Sequence, residues 1–402
     1  MSGLHPSKLV AYLSISTLLS LSMWVLLLLP DYLVGKNWSS QKIGWAMGAF
    51  FSVYLMTQIL SGRLADRYGN VPVALWGTAL GCLGGLGYLL VLWWPNLVFG
   101  ARIVHGAGSA MVTAGALFHL VQAVPQELRG RVIGYFGLPG FVTLGLGPFV
   151  AELLRASWGM GGAFTLVLVN FAVIAWVLRQ LPRPLAAPGT RREPFLEGFR
   201  SNFSALQGIL VFSFAFGLCY SVWLSFLAPA VSRLGPGAVS AFGLGYGGGA
   251  VVSRLGLSQR LETGARRLVA IASLCSYGVC LALLPQARHS WELGVLGFVG
   301  GISHGIYYPA LSSIAAERFH PLHVGSGMSL YMSASSLGMF LGPPLWGLLA
   351  DRIGFGWVFL QAGLLIAGCT AGFVIAEWKR RGGGTIAHVE SHEPSHAVDQ
   401  VD

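Results

Sequence analysis

The stretch LGPFVAELLRASWGMGGAF, residues 146–164, returns 195 residues later without a gap as LGPPLWGLLADRIGFGWVF, residues 341–359. The two share Leu-Gly-Pro, a Leu-Leu pair, a Gly and a Phe, so the chain is duplicated with a period near half its length. Both copies lie in long apolar runs. With 54% hydrophobic residues, 10% charged residues and a mean hydropathy of +0.66, the composition leaves too little polar surface for a soluble globule of 402 residues. The net charge of +10 does not indicate a nucleic-acid partner, because short basic loops alternate with the apolar runs instead of forming one basic face. A membrane surface, with lipid as a partner, fits that pattern.

A hydrocarbon core about 30 Å thick takes about 20 helical residues. Backbone groups in lipid must bond internally, so each apolar run of that length reads as a helix. Twelve such spans result. The first six run roughly 9–33, 43–61, 72–94, 97–121, 132–154 and 161–181, and the second six roughly 204–229, 237–253, 268–284, 292–315, 328–349 and 356–377. The first run is far longer than a signal-peptide core and only Lys8 precedes it, so it is read as a retained span. With the amino terminus inside, eighteen of the twenty-five Lys and Arg residues fall in the loops and tails of that side. Cytoplasmic loops carry such an excess, so both termini are expected in the cytoplasm and the protein in the cell (inner) membrane. The expected fold class is all-α integral membrane, with twelve transmembrane helices in two pseudo-symmetric six-helix bundles. The bundles occupy 1–182 and 204–378, joined by a polar, Pro-rich cytoplasmic linker over 183–203 and followed by a disordered cytoplasmic tail over 379–402. Parallel six-span halves with a site between them are an arrangement of secondary transporters.

Between the second and third spans the sequence reads SGRLADRYGN, residues 61–70. Gly62, Asp66, Arg67 and Gly69 resemble the G-x-x-x-D-R-x-G loop of the major facilitator superfamily, and the resemblance extends over residues 8–380. Arg102 with Gly106 resembles that family's R-x-x-x-G in the fourth helix. Gly134, Gly147 and Pro148 resemble part of the exporter-type signature in the fifth, and the Gly-Pro unit recurs as Gly338, Gly342 and Pro343 in the eleventh. The departures are Asn70 and Val71 in place of a basic pair, Thr143 in place of Gly, and Ala151-Glu152 in place of Gly-Gly. The resemblance implies two six-helix bundles rocking about a central site, with Asp66 helping to latch the halves on the cytoplasmic side. The plainer reading is that Asp66 and Arg67 solvate a turn and set orientation. A lookalike, Gly347-Leu-Leu-Ala-Asp351-Arg352, falls outside by helix parity and is assigned no gate.

Ionisable groups inside lipid are costly and are functional candidates. On the fourth span Arg102, His105, Ser109, Thr113 and Ala116 form one polar stripe about 80° wide, expected to face the bundle interior. Glu152 in the fifth span lies at the depth of Arg102, so the two are expected to pair, either as a static ion pair or in a proton-linked role. Their counterparts under the 195-residue shift, Gly297 and Gly347, carry no charge. The tenth span contains GGISHGIYYPALSS, residues 300–313. His304 is at its midpoint, and Tyr307 and Tyr308 lie around the same face. A midplane histidine with tyrosines suits proton coupling and a partly apolar ligand. A neutral histidine bonded to a neighbouring helix is the alternative. Asp31 and Glu292 lie at outer helix ends and are read as a solvated mouth.

In the tail, His392-Glu393-Pro394-Ser395-His396 matches the zinc-protease pattern H-E-x-x-H. That chemistry needs both histidines on one rigid helix, a third ligand and a dry cleft. The segment instead follows Gly382-Gly383-Gly384 in polar sequence with an internal proline, so no metal site and no enzyme activity are assigned. The spacing of His388, His392 and His396 leaves weak metal binding on an induced helix open. All five cysteines fall in spans and suggest packing rather than a disulfide framework. The series Gly77, Gly81, Gly84 and the run GLGYGGGA at 243–250 suggest close helix approach and bendable backbone. No G-x-x-x-x-G-K-S/T occurs, so no cofactor is expected and a proton gradient is the expected energy source. The expected function is a monomeric secondary transporter, an antiporter exporting a small amphipathic or hydrophobic compound. Uptake of a sugar, organic acid or peptide, translocation of a lipid, and a non-transporting membrane sensor are the alternatives.

Overall fold

The computed structural model describes residues 6–125, 128–181, 195–256, 266–316 and 324–380. The chain forms α1 (Pro6–Trp24), α2 (Leu29–Val34), α3 (Ser40–Tyr68), α4 (Asn70–Val91), α5 (Val98–Gln122), α6 (Arg129–Trp158) and α7 (Met160–Gln180), followed by α8 (Phe195–Val231), α9 (Ala238–Gly256), α10 (Arg266–Leu283), α11 (Ser290–Ala316), α12 (Val324–Ile353) and α13 (Phe355–Arg380). A 3-10 turn over Val25–Leu28 joins α1 to α2, and together they make the first span. The twelve expected spans are therefore all helical. Among the described residues nine are long and apolar enough to cross a membrane, and α9, α11 and α12 complete the set. α8 begins at Phe195, inside the stretch read as linker. α13 continues through Arg380, two residues into the stretch read as tail, and the rest of the linker and of the tail, with its histidines, lies outside the described residues.

The duplication is visible residue by residue. Pro148 and Pro343 sit inside α6 and α12, and Phe164 and Phe359 are fully buried in α7 and α13. One shared glycine makes the tight turn after α6 and after α12: Gly159 has φ +64° and Gly354 φ +80°, a region where a Cβ would crowd the following carbonyl.

Within each half, glycines let helix backbones touch. A Cβ on Gly77 would lie 2.7 Å from Met111 Cβ, and one on Gly81 would lie 2.1 Å from the Phe171 ring, which draws α4 against α5 and α7. The halves meet chiefly where α3 packs on α12 and α6 packs on α9. Here too the contact is backbone to backbone. A Cβ on Gly44 would lie 2.1 Å from the Pro343 carbonyl oxygen, and one on Gly247 2.6 Å from that of Phe141. Both seams lie toward the membrane face opposite residues 6 and 380. That face is termed distal below, and the face carrying the chain ends proximal. Toward the proximal end of α6, at Gly134 and Gly137, a Cβ would meet nothing within 4 Å.

Gly354→Ala places a methyl at positive φ and should destabilise the folded protein by about 1–2 kcal/mol. Gly137→Ala should be neutral or raise stability by up to about 1 kcal/mol, through helix propensity. Thermal unfolding of both variants in detergent checks the contrast.

Candidate functional site

His304 of α11 lies among aromatic rings contributed by both halves. Its Nδ1 is 2.7 Å from the Tyr246 hydroxyl of α9. The rings of Tyr220, Phe216 and Tyr307 lie 5.3, 5.7 and 5.7 Å from the imidazole, and Phe141 of α6 reaches within 5.9 Å from the amino-terminal half. Trp223 Nε1 donates to the Tyr277 hydroxyl at 3.0 Å, and Trp24 of α1 stacks over Trp223 with centroids 6.3 Å apart. The Arg254 guanidinium lies 5.3 Å from the Phe141 ring.

The glycine run in α9 builds this cluster. A Cβ on Gly245 would lie 2.0 Å from the Gly294 carbonyl oxygen and one on Gly249 2.1 Å from that of Phe298, so α9 rides directly on α11. A Cβ on Gly301 would in turn lie 2.0 Å from the Tyr246 carbonyl oxygen. That close crossing brings Tyr246 to His304. Of the residues named from sequence, His304 and buried Tyr307 are both in the cluster; the Tyr308 side chain lies outside the described residues. Trp24, Phe141, Tyr220, Trp223 and Tyr246 are the functional candidates that sequence reading missed. Tyr246 stands inside GLGYGGGA, a run read for its bendable backbone.

The amino-terminal half holds a second polar group. The stripe on α5 does face inward, with Arg102, His105 and Ser109 all buried. Arg102 Nη2 donates to the Met47 carbonyl of α3 at 3.1 Å, and its guanidinium lies 4.8 Å from the Phe50 ring. His105 Nδ1 is 3.1 Å from the Tyr88 hydroxyl of α4, and Tyr12 of α1 bonds His119 near the other end of α5.

The expected Arg102–Glu152 pair is not formed. Glu152 Oε2 accepts from the Gly237 N–H at 2.9 Å and from the Ser240 hydroxyl, both across the boundary at the start of α9. α6 packs on α9, α1 and α7 and turns its acid away from the α5 stripe. Asp31 and Glu292 do sit at distal helix ends. Arg155 Nη1 pairs with Asp31 at 2.6 Å, and Glu292 accepts from the Arg288 N–H at 2.8 Å and contacts His289 Nδ1 at 2.9 Å.

On the proximal face, Asp66 and Arg67 are exposed in the last turn of α3 and Gly69 takes φ +92° to start α4. Gly62 is buried. The Gly-Pro units divide their labour between two faces. A Cβ on Gly147 would lie 2.4 Å from Trp24 Cβ, one on Gly338 2.2 Å from the Phe214 carbonyl oxygen, and one on Gly342 2.1 Å from Ser221 Oγ, all within their own half. Pro148 and Pro343 face across the boundary, to Gly243 and Gly44. Among the described residues no group of His, Cys, Asp and Glu is arranged to hold a metal.

A family model described as Major Facilitator Superfamily matches residues 10–261 and again 237–393. The chain belongs to the Major Facilitator Superfamily. It is 25% identical over 370 residues to the MFS-type transporter YhhS of Escherichia coli strain K12, covering 85% of each chain. It is 29% identical over 361 residues to monocarboxylate transporter 11 of Mus musculus, covering 82% of this chain and 77% of that one. The fold matches the crystal structure of the nucleoside transporter NupG with a TM-score of 0.75 at 14% identity, over 92% of this chain and 99% of that one. A Major Facilitator Superfamily member is a multi-pass membrane transporter, and the aromatic cluster across its two halves is the candidate substrate site.

Because Arg102 and Glu152 have separate partners, Arg102→Gln and Glu152→Gln should add within about 0.5 kcal/mol in a double-mutant cycle. Tyr88→Phe and His105→Phe share one bond and should couple by about 0.6 kcal/mol or more. Equilibrium unfolding in detergent measures both cycles.

Proposed function

We propose that this protein is a proton-coupled secondary transporter that exports a small amphipathic compound carrying an apolar or aromatic portion. The observation that carries the reading is the His304–Tyr246 pair, set among rings of both halves and reached from the amino-terminal half by Phe141. Aromatic faces take up an apolar ligand with little ordering cost, and an imidazole held by a hydroxyl can accept and return a proton. Because both halves supply rings, a relative movement of the halves changes the cluster. Binding energy would then differ between the two states, as a ligand-driven shift requires. In this reading the proton gradient supplies the energy, the chain works as a monomer in the inner membrane with both termini cytoplasmic, and Asp66 latches the proximal side. The direction follows the partial Gly-Pro signature of exporters.

Uptake of an organic acid is the second reading. It is favoured by the Arg254 guanidinium beside Phe141 and by the similarity to a protein named a monocarboxylate transporter.

Growth of an efflux-deficient bacterial host across a toxic-compound panel, at equal membrane abundance, separates the two. Wild type should confer resistance to at least one amphipathic compound, while His304→Ala and Asp66→Asn should each reduce it at least tenfold. Sensitisation by wild type to a toxic organic acid would favour uptake. A flat panel with both variants indistinguishable from wild type would overturn export.

A further inference from the structure

The distal ends of the two boundary seams share a feature that the substrate site does not use. α9 begins at Ala238, so the Gly237 N–H belongs to the group at a helix start that has no partner within the helix. Glu152 of α6 takes that N–H and the Ser240 hydroxyl. α3 begins at Ser40. Asp351 of α12 takes the Ser40 N–H on Oδ1 at 2.7 Å and the Gln41 N–H on Oδ2 at 2.9 Å. Each carboxylate therefore caps the first turn of a helix in the opposite half, where orphan amides and the helix dipole both favour negative charge.

The two contacts are related by the duplication. The 195-residue counterpart of Glu152 is Gly347, and a Cβ there would lie 2.3 Å from the Ser40 carbonyl oxygen. That position is thus filled by backbone, and the acid of α12 stands one turn further on, at Asp351. Inward of the caps, the seams are glycine against backbone at Gly44, Gly48 and Gly247, and glycine against the Pro148 ring at Gly243. Such seams slide apart without breaking side-chain bonds. The Arg155–Asp31 bridge fastens the end of α6 to α2 within its own half, leaving Glu152 to reach across. A cavity of about 390 Å³ lined by Asp31, Glu152, Arg155, Ser232 and Val239 opens beside it.

We propose that Glu152 and Asp351 are the paired clasps of the distal gate, holding it shut by capping α9 and α3 across the boundary, and that distal opening in the transport cycle releases both. Asp351, whose motif resembles the proximal loop, thereby serves a gate at the opposite face. The inference rests on the transport reading for its purpose, but its test does not require a substrate.

Spin labels at positions 93 and 291, where exposed Trp93 and Trp291 lie at the distal face of opposite halves, report the separation of the halves in the full chain reconstituted in liposomes. The labels are carried on cysteines in a chain whose five native cysteines are replaced. Glu152→Ala and Asp351→Ala should each raise the ratio of long to short distances about tenfold, the value expected for loss of one charged helix cap, and the double variant should raise it further. Ser40→Pro gives a milder form. Proline fits the first helical position, and Ser39 before it is extended with ψ 152°, so the helix start is kept while a ring carbon replaces the N–H donor and displaces the Asp351 oxygen that it held. It should raise the ratio in the same direction. Unchanged distances in the double variant overturn the proposal, as does a lowered melting temperature without a distance shift. If the alanine variants do not fold, unchanged distances in Ser40→Pro and Ser240→Ala overturn it. A flat compound panel with shifted distances would sink the transport reading while leaving the clasps in place.

Discussion

A helix in lipid can satisfy every backbone group except those of its first and last turns, and that constraint organises this molecule. Where a helix start lies at an aqueous face beside the other half, the unpaired amides become a means of holding the halves together. The starts of α3 and α9 are both used this way, by Asp351 and Glu152. At Gly44, Gly48 and Gly247 on the same two seams, glycine brings backbones into contact. Close, smooth seams with polar fasteners at one edge suit two bodies that must meet and part.

Glycine sets the functional site as well. Gly245, Gly249 and Gly301 let α9 and α11 cross with almost no separation, and so Tyr246 reaches His304. The amino-terminal half uses the same device to different effect. A Cβ on Gly84 would lie 3.0 Å from His105, and in that half the buried polar group centres on Arg102, His105 and Tyr88. The duplicated frame thus carries unlike interiors: an arginine bonded to a helix carbonyl on one side and an aromatic cluster around an imidazole on the other.

Much of this frame was legible in the sequence. Spans follow from hydropathy because lipid leaves helices as the only option, and the duplication followed from Leu146-Gly-Pro and Leu341-Gly-Pro. Place along a helix was legible too, since it depends only on counting residues: Arg102 lies near the start of α5 and Glu152 near the end of α6. Azimuth was not, because rotation about a helix axis is decided by the neighbours. For that reason Glu152 faces Ser240 instead of Arg102, and Tyr246 read as an incidental member of a glycine run. The contact of Asp351 with Ser40, 311 residues away in sequence, has no local signature.

Paired distance measurements test most directly the proposed cycle in which the two halves meet alternately at opposite faces. Labels at Trp93 and Trp291 report the distal face, and labels at Tyr68 and Leu268, both exposed, report the proximal face. Across conditions that shift the conformational equilibrium, the account predicts that one distance lengthens as the other shortens. Distances that stay fixed at both faces, or lengthen together, would contradict it.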